Sequence, residues 1–406
     1  MTDEAQPFLP YARHLIDEED IAAVTEVLRG DWLTTGPAVA AFEEALAAKV
    51  GARFAVSCTS GTAALHLATL ALGLGEGQVS VVPSLTFLAT ANATRHAGGE
   101  VAFADVDPET GLAGEDTLEA AIQRAGVDPV KAIYPVHLNG QCVDMRAVGR
   151  LAAKYGLRVI EDACHALGAE VRTAAGEGDG VAVGGCQDSD MAVFSFHAVK
   201  AIAMGEGGAV TTNDAALHER LVRLRNHGMV RDGQAFQNAA LALDEAGAAN
   251  PWYYEMPEIG FNYRASDIHC ALGLSQLAKL DRFVAARREL VRRYDERLED
   301  LAPAVRPVRR VEGCIPAWHL YVVLIDFAAL GADRAAVMRR LRAAGIGAQV
   351  HYLPLHLQPY YQNRYGAQSL PGAERYYARA LTLPLFAGMT AADVERVVEA
   401  LRASLG

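Results

Sequence analysis

An α/β fold with a mainly parallel sheet is what this sequence predicts, and three observations carry the prediction. From Phe54 onward, short strand-like runs, turns and helix-length stretches follow one another in repeated order. The strand-like runs are continuously apolar, as in strands buried on both faces, and do not alternate as half-wet antiparallel strands do. Composition is the third: 51% of the 406 residues are hydrophobic and 21% charged, ample core for one large and one smaller domain.

Taken in order, Asp17 caps a first helix to Leu28, with Ile21, Val24 and Leu28 on one face and Gly30 ending it. A polar loop follows, Asp31 to Pro37, with Trp32 exposed, and then a helix carrying Val39, Phe42 and Leu46. Strands Phe54 to Ser57, Val79 to Val82, Val101 to Ala104, Lys131 to Val136 and Arg158 to Glu161 alternate with helices Thr62 to Leu72, Phe87 to His96, Thr117 to Arg124 and Met145 to Lys154. Met191 to Phe196 and Ala209 to Thr212 are two further strands, the second entered through a tight turn at Gly205, Gly207 and Gly208. Asp232 to Pro251, rich in Ala, Gly, Asn and Gln, is a long surface loop. From Ser266 a helical pattern leads into the charged helix Phe283 to Leu298, a bridge to a second domain, and Pro303 to Pro316 is the linker. Strand His319 to Ile325, helix Arg334 to Ala344, strand Ile346 to His351 and helix Ala391 to Leu401 complete a small α+β domain, so that the chain divides into residues 1–280 and 281–406.

A net charge of −12 without a Lys/Arg block excludes a nucleic-acid binder; the Arg287 to Arg297 stretch is interleaved with acids and apolar residues, as on a solvated helix face. The six cysteines form no CxxC pair and no zinc-like spacing, which points to reduced, mostly buried thiols in the cytoplasm and to no metal. The start, MTDEAQPFLPYARH, lacks a cationic segment plus apolar core, and no apolar run is long enough to span a bilayer.

Ligands of parallel sheets sit at the carboxyl ends of the strands. One lysine, Lys200, falls there in an apolar, glycine-punctuated loop. It is either a desolvated amine, nucleophilic toward carbonyls as a Schiff-base lysine is, or a lysine that snorkels out of its loop. After the first strand, Cys58-Thr59-Ser60-Gly61-Thr62 offers free amides and a positive helix end to a phosphate, or simply an N-cap. No GxGxxG follows it. Phe87 ends up at the same edge, as a face for a flat ring or as core. Asp162, directly after a buried strand, needs a partner; a pyridinium nitrogen is one, and a capping role is the alternative. The turn His351-Tyr352-Leu353-Pro354-Leu355-His356 holds more imidazole and hydroxyl than a structural loop needs, with a merely structural role for one of the two histidines as the alternative.

TSGTAALHLATLALG, PSLTF, EDACHALGA, FSFHAVKAIAMGEGGAVTTND, RNHGM, GFNYRASDIHCALGLSQL and HYLPLH, in this order, resemble the DegT/StrS family of pyridoxal-phosphate-dependent sugar aminotransferases, from about Tyr11 to the C-terminus. NPWYYEM, GFNYRASDIHCALGLSQL and HYLPLHLQPYY resemble the branch that aminates C4 of a UDP-linked 4-keto-6-deoxy-N-acetylhexosamine in the pseudaminic acid pathway. The resemblance implies pyridoxal-phosphate fold type I, aspartate-aminotransferase-like, with a mainly parallel seven-stranded sheet, and a homodimer with active sites at its interface. It implies pyridoxal 5′-phosphate as cofactor, L-glutamate as donor and a nucleotide sugar as acceptor. Residue by residue, Lys200 would join the cofactor and carry the proton, Asp162 would face the ring nitrogen and His165 the ring hydroxyl. Gly61, Thr62 and Ser195 match phosphate ligands, Asn262 a phosphate contact from the other subunit, and Phe87 the stacking aromatic. Thr35, His197, Arg264, His351, Tyr352 and His356 would line the substrate side. Ala198 departs from the family's FSFHPxK and removes no reacting group. Sugar dehydratases of the family replace the lysine by histidine, so Lys200 speaks against that activity. A C–S lyase of the same fold and a non-catalytic relative are disfavoured by the sugar-branch motifs and by the presence of both Lys200 and Asp162.

Overall fold

The computed structural model describes residues 7–172 and 180–406. Strands β1 (Phe54–Cys58), β2 (Val79–Pro83), β3 (Glu100–Ala104), β4 (Val130–Ile133) and β5 (Arg158–Asp162) are followed by two-residue strands β6 (Glu170–Val171) and β7 (Val181–Ala182), then by β8 (Met191–Ser195) and β9 (Gly208–Thr212). The main sheet has seven strands in the order β1-β9-β8-β5-β4-β2-β3, all parallel except β9, which runs against both its neighbours. The mainly parallel α/β fold expected from the sequence is the one observed. Its strands are buried along almost their whole length, which is why they read as unbroken apolar runs.

Helices α1 (Glu18–Arg29), α2 (Pro37–Val50), α3 (Gly61–Ala71), α4 (Leu88–His96), α5 (Glu115–Ala125), α6 (Met145–Tyr155) and α7 (Ala215–Arg225) precede, flank or link these strands. Asp17 caps α1 in a reciprocal capping box with Asp20. The apolar stripe of α1 faces outward, with Ile21 50% and Leu28 56% exposed, whereas Asp20 is fully buried and takes hydrogen bonds from Ser275 Oγ at 2.6 Å and Gln276 Nε2 at 2.7 Å. Trp32 and Leu33 extend the exposed apolar surface.

Three expectations are corrected. β4 stops at Ile133 and not at Val136, because Pro135 has no amide for the ladder. The segment Pro303 to Pro316 is no bare linker: β10 (Val305–Pro307) and β11 (Cys314–Ile315) lie in it, β10 pairing with β12 (Tyr321–Ile325) and β11 with β6. Ile346 to His351 is no strand, since Ile346 bridges Leu9 and Gln349 bridges Thr382, so its bonds are split between two partners. The third strand of the small antiparallel sheet is instead β13 (Ala380–Leu383), giving the order β10-β12-β13.

Within the surface loop 232–251 lie a 3-10 turn, Gly233–Ala235, and a short α-helix, α8 (Ala239–Ala242). Ser266 caps α9 (Asp267–Ala278), which leads straight into α10 (Leu280–Leu298). Arg287 of α10 is buried, contrary to the solvated face expected for its arginines. Helices α11 (Arg334–Ala343), α12 (Pro359–Tyr365), α13 (Pro371–Arg379) and α14 (Ala391–Leu405) surround the small sheet. One apolar cluster runs from Val81 and Phe103 of the main sheet to Val323 and Leu401, and a second gathers Phe42, Phe196, Met204 and Phe283 under the loop after β8.

Candidate active site

The carboxyl ends of β1, β2, β5 and β8 open into one cavity of about 510 Å³. Each strand end contributes: Ser60, Gly61 and Thr62 after β1, Thr86, Phe87 and Thr90 after β2, Asp162, Cys164 and His165 from β5, and Ser195, His197 and Lys200 from β8. Tyr11 of the N-terminal arm and Gln349 to Tyr352 of the C-terminal part close it.

Lys200 is half-buried, and what it exposes faces this enclosed space. Loss of water pushes its ammonium pKa down, against the pull of Cys164 and Asp162. Among the described residues its amine forms no ion pair. Asp162 is 5% exposed; its Oδ2 accepts from Thr90 Oγ1 at 2.6 Å and its Oδ1 from the Cys164 amide at 3.2 Å. Two neutral donors do not discharge a buried carboxylate, which leaves Asp162 able to hold a cation in the cavity.

Gly61 opens α3. The Ser60 side chain caps the amide of Ala63 at 3.1 Å and the Ser60 carbonyl that of Ala64 at 3.0 Å, so the amides of Gly61 and Thr62 are left for a ligand. A Cβ on Gly61 would lie 2.8 Å from Ser195 Cβ, and one on Gly208 would lie 2.3 Å from the Ser60 carbonyl. The missing side chains bring a helix end and the Ser195 hydroxyl together, the composition of a phosphate cradle.

His165 is buried. Its Nδ1 accepts from the Asn139 amide at 3.4 Å, its Nε2 lies 3.1 Å from the Tyr352 hydroxyl, and its ring centroid is 4.4 Å from that of His319. Desolvation, with Lys200 nearby, pushes His165 well below the usual histidine range, and His351 down to about 3. Both rings are therefore neutral at pH 7. His351 Nδ1 is 2.8 Å from Thr382 Oγ1. Desolvation and then Asp162 raise the Tyr352 phenol well above its ordinary value, so it stays protonated. Phe87, 54% exposed, presents its ring 5.9 Å from that of Tyr352. His197 sits at the mouth, exposed, 3.9 Å from Glu206.

The structure thus gathers Lys200, Asp162, His165, Gly61, Thr62, Phe87, Ser195, His197, His351 and Tyr352 around one space. It does not bring Thr35, Asn262, Arg264 or His356 there. Thr35 and Asn262 are exposed, and Arg264 Nη1 donates to Asn226 Oδ1 at 2.6 Å. His356 lies outside the cavity: the ring is 1% exposed, with Nδ1 2.6 Å from Ser84 Oγ and Nε2 3.2 Å from Glu374 Oε1, so both nitrogens have partners within the chain. Sequence reasoning missed Tyr11, Thr90, Asn139 and His319. Thr90 had a signal, a hydroxyl one turn after Phe87 on the helix that leaves β2; the other three come from distant loops.

An amine and a buried carboxylate thus face one cavity at the strand ends of this fold. The chain belongs to the DegT/DnrJ/EryC1/StrS aminotransferase family, whose model matches residues 14–402. It is 38% identical to the spore coat polysaccharide biosynthesis protein SpsC of Bacillus subtilis, over 99% of this chain and 98% of that one. Among solved structures it is similar to Helicobacter pylori PseC, an aminotransferase involved in pseudoaminic acid biosynthesis, at 30% identity and TM-score 0.85, covering 98% of this chain and 99% of that one. It is also similar to the PLP form of the putative sugar aminotransferase Spr1654 of Streptococcus pneumoniae, at 25% identity and TM-score 0.85, covering 98% of each chain.

Proposed function

We propose that this protein transfers an amino group from L-glutamate to a nucleotide-linked keto sugar, with pyridoxal 5′-phosphate held at Lys200. The observation that carries this reading is the shared cavity of Lys200, Asp162 and the open amides of Gly61 and Thr62. These residues fit the cofactor: an amine for its aldehyde, an anion for its ring nitrogen, and a side-chain-free helix end with Ser195 for its phosphate. When bound, the cofactor supplies a ring that takes up the electron pair of a deprotonated carbon. Asp162 keeps a ring nitrogen protonated. Lys200 Nζ, disfavoured as ammonium by burial, can accept a proton and return it. Neutral His165 orients through Nδ1 and Nε2 without adding charge, and Tyr352, as a phenol, keeps a hydrogen to donate.

Glutamate and a nucleotide diphosphate are both anions, yet among the described residues Lys200 is the only lysine or arginine lining the cavity. A second copy of the chain supplying Asn262 and Arg264 would meet that need, and the exposed Ile21, Leu28, Trp32 and Leu33 offer apolar surface for a homodimer. Within the class we favour C4 amination of a UDP-linked 4-keto-6-deoxy-N-acetylhexosamine. Support comes from the likeness to PseC, which is involved in pseudoaminic acid biosynthesis, and to SpsC, a spore coat polysaccharide biosynthesis protein. A cytoplasmic site fits six free cysteines, four of them buried, and no helix among the described residues is long and apolar enough to cross a membrane. A division into residues 1–280 and 281–406 is supported by the separate sheet of β10, β12 and β13.

The test is to aminate the enzyme with glutamate and offer a panel of nucleotide 3-keto and 4-keto sugars. A visible band at about 420 nm, from the lysine-bound cofactor, should return with a UDP 4-keto sugar and be absent in Lys200→Ala. Return with non-sugar keto acids alone would overturn the substrate class.

A further inference from the structure

Among the described residues Arg287 is the only fully buried arginine, 3% exposed, and it forms no ion pair. The other buried cation, Lys279, has Asp17, Glu19 and Asp20 around it, and Arg282, Arg292, Arg293 and Arg297 of the same helix reach acids at the surface. Arg287 instead donates from Nη2 to the Lys200 carbonyl at 3.2 Å and from Nη1 to the Ala201 carbonyl at 3.4 Å, and its Nε has no partner. A lone buried guanidinium is expensive. Burial pushes its pKa down to about 10, which still leaves it charged at neutral pH, so both hydrogen bonds are charge-assisted.

The loop it touches has few ties of its own. Between β8 and β9 the backbone bonds are Lys200 N to His197 O, Met204 N to Phe196 O and Phe196 N to Gly207 O, and the Gln276 side chain takes the Ala203 amide at 3.3 Å. No described backbone amide reaches the carbonyls of Lys200 or Ala201, and the loop contains Gly205 and Gly207 but no proline. Helix α10 also backs the turn after β5, where a Cβ on Gly168 would lie 3.0 Å from Val284 Cγ2. At its far end Tyr294 stacks on Tyr321 of β12, with centroids 4.5 Å apart, and donates to the Pro384 carbonyl.

We propose that Arg287 is a positioning residue for Lys200: it grips the two successive carbonyls that follow the reactive side chain, fixing the backbone from which the amine enters the cavity. It also makes that backbone follow α10, the helix shared by the main sheet and the small one. The proposal rests on Lys200 being the reacting amine.

The experiment compares cofactor-loaded wild type, Arg287→Met, Arg287→Gln, Arg287→Lys and Lys200→Ala. In Arg287→Met, amide hydrogen exchange at residues 200–205 should rise at least about tenfold while the amides of β8 and β9 keep their rates. In the same variant kcat should fall about 30-fold with KM within about twofold, as expected when a reacting group is misplaced and binding is not. Arg287→Lys, whose ammonium can still meet one carbonyl, should recover part of both losses. A folded Arg287→Met with exchange and kcat within about twofold of wild type overturns the proposal, and if that variant does not fold, unchanged exchange and kcat in the uncharged Arg287→Gln do so. Should Lys200→Ala keep the visible band and full activity, the functional reading falls and the proposal with it. Unchanged loop exchange beside a Lys200-dependent band overturns the proposal alone.

Discussion

The wall of the cavity built from strand ends and the rim formed by surface loops are held in different ways. On the wall, Asp162 hangs from a strand buried along nearly its full length, with Thr90 and the Cys164 amide fixing both carboxylate oxygens. Ser195 ends the neighbouring parallel strand and Lys200 follows it, and Gly61 is wedged against Ser195. On the rim, Thr35 donates to the adjacent Thr34 carbonyl, Arg264 leans on Asn226, and Asn262 is exposed. One chain therefore holds the wall residues together by itself. On the function proposed above, the rim residues would come to that wall from a second copy of the chain.

If that contrast is right, the largest effect should come from the wall. Asp162→Asn keeps the shape and the bond from Thr90 but removes the charge. We expect kcat to drop on the order of 10²–10³-fold, equivalent to roughly 3–4 kcal/mol of transition-state stabilisation. Steady-state kinetics would check it, and a loss of less than about tenfold would mean that the wall does not need its anion.

A rim substitution should act on binding and leave the chemistry alone. For Arg264→Met we expect KM for the nucleotide sugar to rise about tenfold with kcat within about twofold. Mixing Lys200→Ala subunits with Arg264→Met subunits sharpens the point. If Arg264 reaches across a dimer, exchange of subunits should create a fraction of sites with wild-type KM. If Arg264 serves its own chain, mixing should produce none.

The same contrast decides how much could be read from sequence. Asp162, Lys200, Gly61 and Ser195 were legible because a buried parallel strand announces itself as an apolar run and the chemistry sits within a few residues of its end. Partners brought in from far along the chain were not. Tyr352 meets His165 across 187 residues, and Arg287 meets Lys200 across 87. A signal for Arg287 did exist: it lies four residues after Phe283 and three before Leu290, on the buried stripe of α10. Reading Arg287 to Arg297 together as one solvated face hid it. The segment Ile346 to His351 looked like a strand because its apolar content is right, but its bonding is divided between the N-terminal arm and β13.

The smallest effect on activity should come from a residue that shares a loop with the wall and belongs to neither region. His356 lies five positions after His351, yet its ring bridges Ser84 on one side and Glu374 on the other, outside the cavity. Burial lowers its pKa, partly opposed by Glu374. A depressed histidine pKa adds stability that is complete above the unfolded value of about 6.5 and is lost as pH falls through the folded value, because below the former the unfolded chain binds the extra proton. His356→Gln preserves much of the volume but cannot place both polar contacts at once, so thermal unfolding at pH 7 should show a loss of about 1–2 kcal/mol. The loss should shrink as the buffer is taken from pH 7 toward pH 5, since the wild-type histidine surrenders its advantage over that range while glutamine has none to surrender. Turnover should stay within about twofold of wild type. A tenfold fall in kcat at unchanged stability would instead draw His356 into the substrate rim and erase the distinction between the two histidines of this turn.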